Sequence, residues 1–267
     1  MKNIVKLCKF NLFTERKNII GWAVAISAIM ILYMILFPNI KDIAQAELEA
    51  MPEEILQFMG MDKLTELADY TSYYGMIYGI ILIPISIFAA TFSARQITKE
   101  EKTKSIEFLN GLPVSRSEIY ISKYITTLIA ITTVILSANI FTIVCGLING
   151  GETFQLDRII KSVKLTSLIP LIYGGIAFFL AAFSNKIGSG PIASSVVLTT
   201  YMLGYLGELL GDKAERLKDF SLFISLDVKN SLDINSQVIK ILVIYLIIYV
   251  LAILFGKMIY KKRDFKI

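Results

Sequence analysis

Residues 71–94 read TSYYGMIYGIILIPISIFAATFSA, twenty-four consecutive positions without a charged side chain. A helix crosses a bilayer core with roughly 20 apolar residues, so this run alone is long enough to span. Asp69 and Arg95 bracket it. Five further charge-free runs, at 18–40, 124–151, 165–185, 187–207 and 241–256, repeat the pattern in a chain of 267 residues that is 55% hydrophobic and only 18% charged. The last run is short, but Lys240 and Lys257 flank it and their stems can snorkel to the interfaces. The reading is an all-α integral membrane protein: one domain over 1–267 with six transmembrane helices near 18–38, 72–95, 122–148, 164–184, 190–210 and 238–258.

Six spans place both termini on one side, and the basic residues choose the side. With the N-terminal arm, the segment after Arg95, the turn at Lys186 and the C-terminal tail inside, the inner set holds 17 Lys and Arg against 6 acidic residues, and the outer set 10 against 16. Both termini are therefore expected in the cytoplasm. The basic residues follow this membrane rule instead of forming one stripe, so nucleic acid is not an expected partner. Membrane lipid is.

The arm, MKNIVKLCKFNLFTERK over 1–17, sets Ile4, Cys8 and Leu12 at four-residue spacing and Lys2, Lys6 and Lys9 on another face. This predicts an amphipathic helix lying in the inner interface before the chain turns into the first span. The alternative is a cytosolic flank whose lysines only enforce orientation. The arm is too long, and the run after it too extended, for a cleaved signal peptide. Cys8 and Cys145 fall in different places and predict no disulfide framework.

Several function classes drop out on composition. The chain has no His, which excludes His-ligated zinc and a Ser-His-Asp triad. No metal site and no catalytic residue is expected, and the chain is not expected to be an enzyme. No ionisable side chain lies deep in a span, which argues against an ion-coupled carrier. The spans carry milder polarity, and Thr132, Ser137, Asn139, Ser195 and Thr199 are candidates for lining a translocation path. Such residues more often join helix to helix, and that is the favoured reading. Gly174, Gly175, Gly207 and Gly211 suit close helix contact in the same way.

Outside, 39–71 forms an acidic loop, whose charge either attracts a cationic cargo or only reflects depletion of Lys and Arg; the second is preferred. The stretch 211–237 mixes apolar and charged residues and reads as an interfacial or re-entrant element.

The most elaborate polar segment lies inside, at 98–117. Ile106 with Leu109 and Phe108 with Leu112 fall at helical spacing, Glu100 with Lys104 makes a favourable i,i+4 pair, and Gly111 with Pro113 supplies a stop. Ser115 then stands as an N-cap with Glu118 three residues on, a capping box for the third span. A short helix, a break and a rigidly capped membrane helix leave apolar side chains that ask for a partner.

The run EEKTKSIEFLNGLPVSRSEIYISK over 100–123 resembles the segment between spans two and three of type-2 ABC exporter permeases. Glu101, Ser105, Glu107 to Leu109, Pro113 to Arg116 and Lys123 carry the likeness, and MPEEILQFMGMD followed by TSYYGMIYG is similar to that family's outer loop and second span. One departure is Thr103-Lys104-Ser105, where the family usually shows a Gly-Thr turn. The resemblance implies a permease half of a bacterial plasma membrane whose coupling helix docks on a separate cytosolic ATPase. The expected docking residues are Glu101, Ile106, Glu107, Phe108, Leu109, Leu112, Pro113 and Arg116, with Ser115 and Glu118 stiffening the joint. The chain contains no G-x-x-x-x-G-K-[ST] loop, so it needs no cofactor of its own; ATP and Mg would be bound by two copies of the partner ATPase. A second permease, identical or related, would complete the path. By resemblance the exported substrate is an amphipathic peptide or a hydrophobic drug. Rival readings are a membrane sensor or assembly protein that recruits another cytosolic partner, and an ion-coupled secondary transporter.

Overall fold

The computed structural model describes residues 2–50, 67–106, 113–183, 189–211, 214–226 and 236–263. The helices are α1 (Lys2–Ile35), α2 (Phe37–Ala50), α3 (Tyr70–Lys102), α4 (Arg116–Asn149), α5 (Leu156–Thr166), α6 (Leu168–Phe183), α7 (Ser189–Leu209), the short α8 (Leu222–Ser225) and α9 (Ser236–Lys262), with 3₁₀ turns at Gly151–Thr153 and Glu215–Phe220. Among the described residues there is no strand. Six helical stretches among the described residues are long and apolar enough to cross a membrane: Asn3–Glu47, Tyr70–Lys102, Arg116–Asn149, Leu156–Phe183, Gly190–Leu209 and Ser236–Lys262.

At the centre stands α3, packed against α1, α4, α6 and α7. Its sequence explains the position. Small residues (Ala89, Ala90, Ser93, Ala94) and aromatic rings (Tyr70, Tyr74, Tyr78, Phe88, Phe92) occur on every side of it, and all of these are buried, as befits a helix without a polar stripe. Gly174 lets α6 approach this core, because a Cβ there would sit 2.8 Å from Ile131 Cδ1 and 3.1 Å from Ser93 Oγ. The periphery has the opposite character. In α9, Val243, Ile244, Ile247, Val250, Leu251, Leu254, Phe255 and Met258 are exposed, an apolar surface that only lipid or another membrane helix solvates well.

One segment departs from its expected form. Residues 2–17 are not set off from the first span, because α1 runs unbroken from Lys2 to Ile35. No Gly or Pro interrupts it before Gly21, and Glu15 is drawn inward by cations on α3. Beyond α7, the 3₁₀ turn and α8 fold back along that helix, so that a Cβ at Gly207 would lie 2.8 Å from the Lys218 nitrogen. Gly211, expected to serve helix contact, instead adopts φ +59° with open space around it, a turn conformation.

Candidate functional site

The last two turns of α3 carry Arg95, Gln96, Lys99, Glu100 and Glu101. A helix rotates by about 100° per residue, so positions 99, 100 and 101 face three directions. Each direction meets a different helix. Towards α1, Arg95 Nη2 lies 2.7 Å from Glu15 Oε2, and Lys99 Nζ lies 3.8 Å from Glu15 Oε1 and 3.0 Å from Asn11 Oδ1. Towards α4, Lys123 Nζ donates to the Gln96 carbonyl at 2.6 Å and pairs with Glu100. Towards the end of α9, Arg263 Nη2 donates to Glu101 Oε2 at 2.9 Å.

Arg263 does more than pair. Its Nη1 donates to the carbonyls of Ala181 at 2.8 Å and Ala182 at 3.3 Å, which belong to the last turn of α6, where carbonyls lack helical partners. Arg116, at the start of α4, donates in turn to the Arg263 carbonyl at 2.7 Å and to that of Lys261 at 3.3 Å. Glu15, Glu101, Lys123 and Arg263 are all buried. Five helices therefore meet in one desolvated polar joint at the end of the bundle where the 103–115 segment emerges.

That segment is secured on both sides. At the end of α3, Lys104 N–H donates to Glu101 O at 3.3 Å and Ser105 N–H to Glu100 O at 2.9 Å, with Lys104 at φ +55°. This is a Schellman stop, which normally places Gly in the left-handed position. At the start of α4, Ser115 Oγ accepts from Glu118 N–H at 3.2 Å, while Ser115 N–H donates to Glu118 Oε2 at 2.8 Å: a capping box. Glu100 turns to Lys123 and not to Lys104, because the helix ends before Lys104 can stand one turn above it.

Of the residues expected to dock a partner, Glu101 and Ile106 are buried, Pro113 is exposed and Arg116 half-buried. Glu107, Phe108, Leu109 and Leu112 lie outside the described residues. Of the candidate path residues, Asn139 is buried and bonded to Tyr74 Oη at 2.8 Å and Tyr78 Oη at 3.1 Å. Ser137 is half-buried, and Thr132, Ser195 and Thr199 are exposed. Sequence reasoning missed Glu15, Arg95, Lys123 and Arg263 as parts of one site. The available signal was that acidic residues sat on the side where basic ones dominate.

The sequence profile of the multidrug efflux system permease Rv1217c, C-terminal domain, matches residues 10–261. The chain belongs to that family. Among curated proteins no match is found. The matched range covers all six long apolar helices apart from the first residues of α1 and the end of α9, so the permease fold and the polar joint up to Lys261 lie within it. The protein is a multi-pass permease of the multidrug-efflux class.

Proposed function

We propose that this permease is the transmembrane half of an ATP-driven ABC exporter of the plasma membrane, coupled to a separate cytosolic ATPase through residues 98–117. The observation that carries the reading is the joint beneath that segment. A Schellman stop and a capping box hold its two ends, and ion pairs link those ends to α1, α4 and the end of α9. A force applied between α3 and α4 would thus reach the whole bundle as rigid-body motion. Ser115 and Glu118 would stiffen the lever; Phe108, Leu109 and Leu112 would supply its apolar docking face, with Glu107 and Pro113 beside them, while Ile106, buried, would anchor its root.

The partner would bind ATP and Mg in two copies, with both termini of this chain in the cytoplasm and a second permease completing the path. Substrates would be hydrophobic drugs or amphipathic peptides leaving from the inner leaflet, in keeping with six apolar runs of sequence that hold no charged side chain.

The test is purification of the tagged permease in mild detergent, with mass spectrometry of what accompanies it. A stoichiometric P-loop ATPase is expected, and Leu109→Asp should remove it and abolish drug efflux without reducing membrane insertion. Absence of any ATPase from the wild-type preparation, together with normal efflux by Leu109→Asp, would reject the assignment in favour of another cytosolic partner.

A further inference from the structure

Beside the joint, a groove of about 810 Å³ opens between the start of α1, the last turns of α3 and the start of α7. Thr91, Arg95, Thr98 and Lys102 follow one stripe of α3 at spacings of three and four along its wall, with Phe10 of α1 and Pro191 and Ser194 of α7 opposite. Thr91 and Lys102 stand eleven positions apart, roughly 16 Å of helix at 1.5 Å per residue. That length is about half the thickness of a bilayer's hydrocarbon core.

Its charge is unbalanced. Among the described residues of its wall, the carboxylate of Glu100 is engaged by Lys123 from α4 and that of Glu15 by Arg95 and Lys99. Lys102 is exposed and has no ion pair among the described residues, and the Arg95 side chain, bonded to Glu15 through Nη2, is still 55% exposed. Two cations remain for an anion from outside. Phe10, 65% exposed, adds an apolar wall. A cationic floor with an apolar side suits an amphiphile that has an anionic head and a hydrocarbon tail.

We propose that this groove binds an anionic phospholipid of the adjoining leaflet, its phosphate held by Arg95 and Lys102 and its acyl chains laid against Phe10. Basic recesses between membrane helices on the cytoplasmic side recognise such headgroups by charge. A lipid there would lie against Arg95 and Lys99, which hold α1 to α3 through Glu15, so its presence would reinforce the joint. The assignment rests on the inward orientation given above, but its test in detergent does not depend on that orientation.

Native mass spectrometry of the detergent-purified permease, supplied with equal phosphatidylglycerol and phosphatidylcholine, reads the preference directly. The wild type should retain phosphatidylglycerol selectively. Lys102→Glu should weaken that retention at least about fivefold, the effect of one basic residue near a lipid phosphate, with an unchanged melting temperature in lipid-free detergent. Lys102→Arg should restore it, and Lys262→Glu, an exposed lysine outside the groove, should leave it intact. Equal retention of the two lipids, no effect of Lys102→Glu, or an equal loss in Lys262→Glu would overturn the proposal. Displacement of the lipid by an equal concentration of glycerol 3-phosphate would overturn it too, by assigning the groove to a free phosphate.

Discussion

Arg263 and Glu101, 162 positions apart along the chain, meet at 2.9 Å in a pair from which solvent is almost wholly excluded. The same guanidinium closes the last turn of α6 through the Ala181 and Ala182 carbonyls. One side chain thus joins α3, α6 and the end of α9. Its backbone carbonyl, held by Arg116, adds α4.

Removing one member of such a pair strands a buried charge, which costs about 3–5 kcal/mol. Arg263→Met and Glu101→Met should each lower the unfolding free energy in detergent by an amount in that range. The double variant Glu101→Met with Arg263→Met should recover most of the loss from Glu101→Met alone, but not all, because the α6 carbonyls stay uncapped. A thermal-melt double-mutant cycle measures the difference; fully additive losses would mean that the pair does not couple the helices.

Lys104 occupies a left-handed backbone position at φ +55°. For a residue with a Cβ this conformation costs about 1–2 kcal/mol, and the extra flexibility that Gly gives the unfolded chain returns roughly 0.5–1 kcal/mol of that gain. Lys104→Gly should therefore stabilise the permease by about 0.5–1 kcal/mol, whereas Lys104→Val, β-branched, should destabilise it. Chemical denaturation in detergent can rank the three proteins.

These examples show what could be read from the sequence and what could not. Charge-free length along the chain is local information, and six helices long and apolar enough to span stand where six such runs lie. The contact between Ser115 and Glu118 is also local, a three-residue spacing at the start of a helix. The joint is different: Glu15 with Arg95, Glu100 with Lys123 and Glu101 with Arg263 join positions 80, 23 and 162 residues apart. Nothing in the chain's spacing says which face of α3 meets which helix. A local partner for Glu100, Lys104, looked sufficient until the helix end at Thr103 removed it. The continuity of α1 was hidden for a related reason, since the pull of Arg95 and Lys99 on Glu15 acts through the fold.

Ser115 caps α4 in a position exposed to water, where losing the side-chain oxygen costs about 1 kcal/mol. Ser115→Ala should leave expression and membrane insertion unchanged, while fraying the first turn of α4 slows drug efflux. Ser115→Asp, which retains a capping oxygen, should restore the efflux rate. Fluorescent-drug efflux in cells at matched expression separates the variants, and unaltered efflux in Ser115→Ala would show that stiffness at this helix start is not limiting.

Asn139 is the test of whether polar residues in the spans serve packing or passage. Its side chain accepts from Tyr74 Oη at 2.8 Å and donates to Tyr78 Oη at 3.1 Å and to the Ile135 carbonyl at 2.8 Å. Tyr74 and Tyr78 are themselves buried and stacked with centroids 5.2 Å apart. Asn139→Leu keeps the branched outline of the side chain but takes a partner from two buried hydroxyls, and stranded groups of this kind cost about 1–3 kcal/mol each. Hydrogen bonds between membrane helices, measured by double-mutant cycles, average nearer 0.6 kcal/mol. The expected loss is therefore about 1–3 kcal/mol in all, with the range of exported drugs unchanged. Resistance profiles across chemically different drugs, set beside the melting temperature, decide between the roles: a changed drug range at unchanged stability would place Asn139 on the path, and lowered stability at an unchanged range keeps it in the core between α3 and α4.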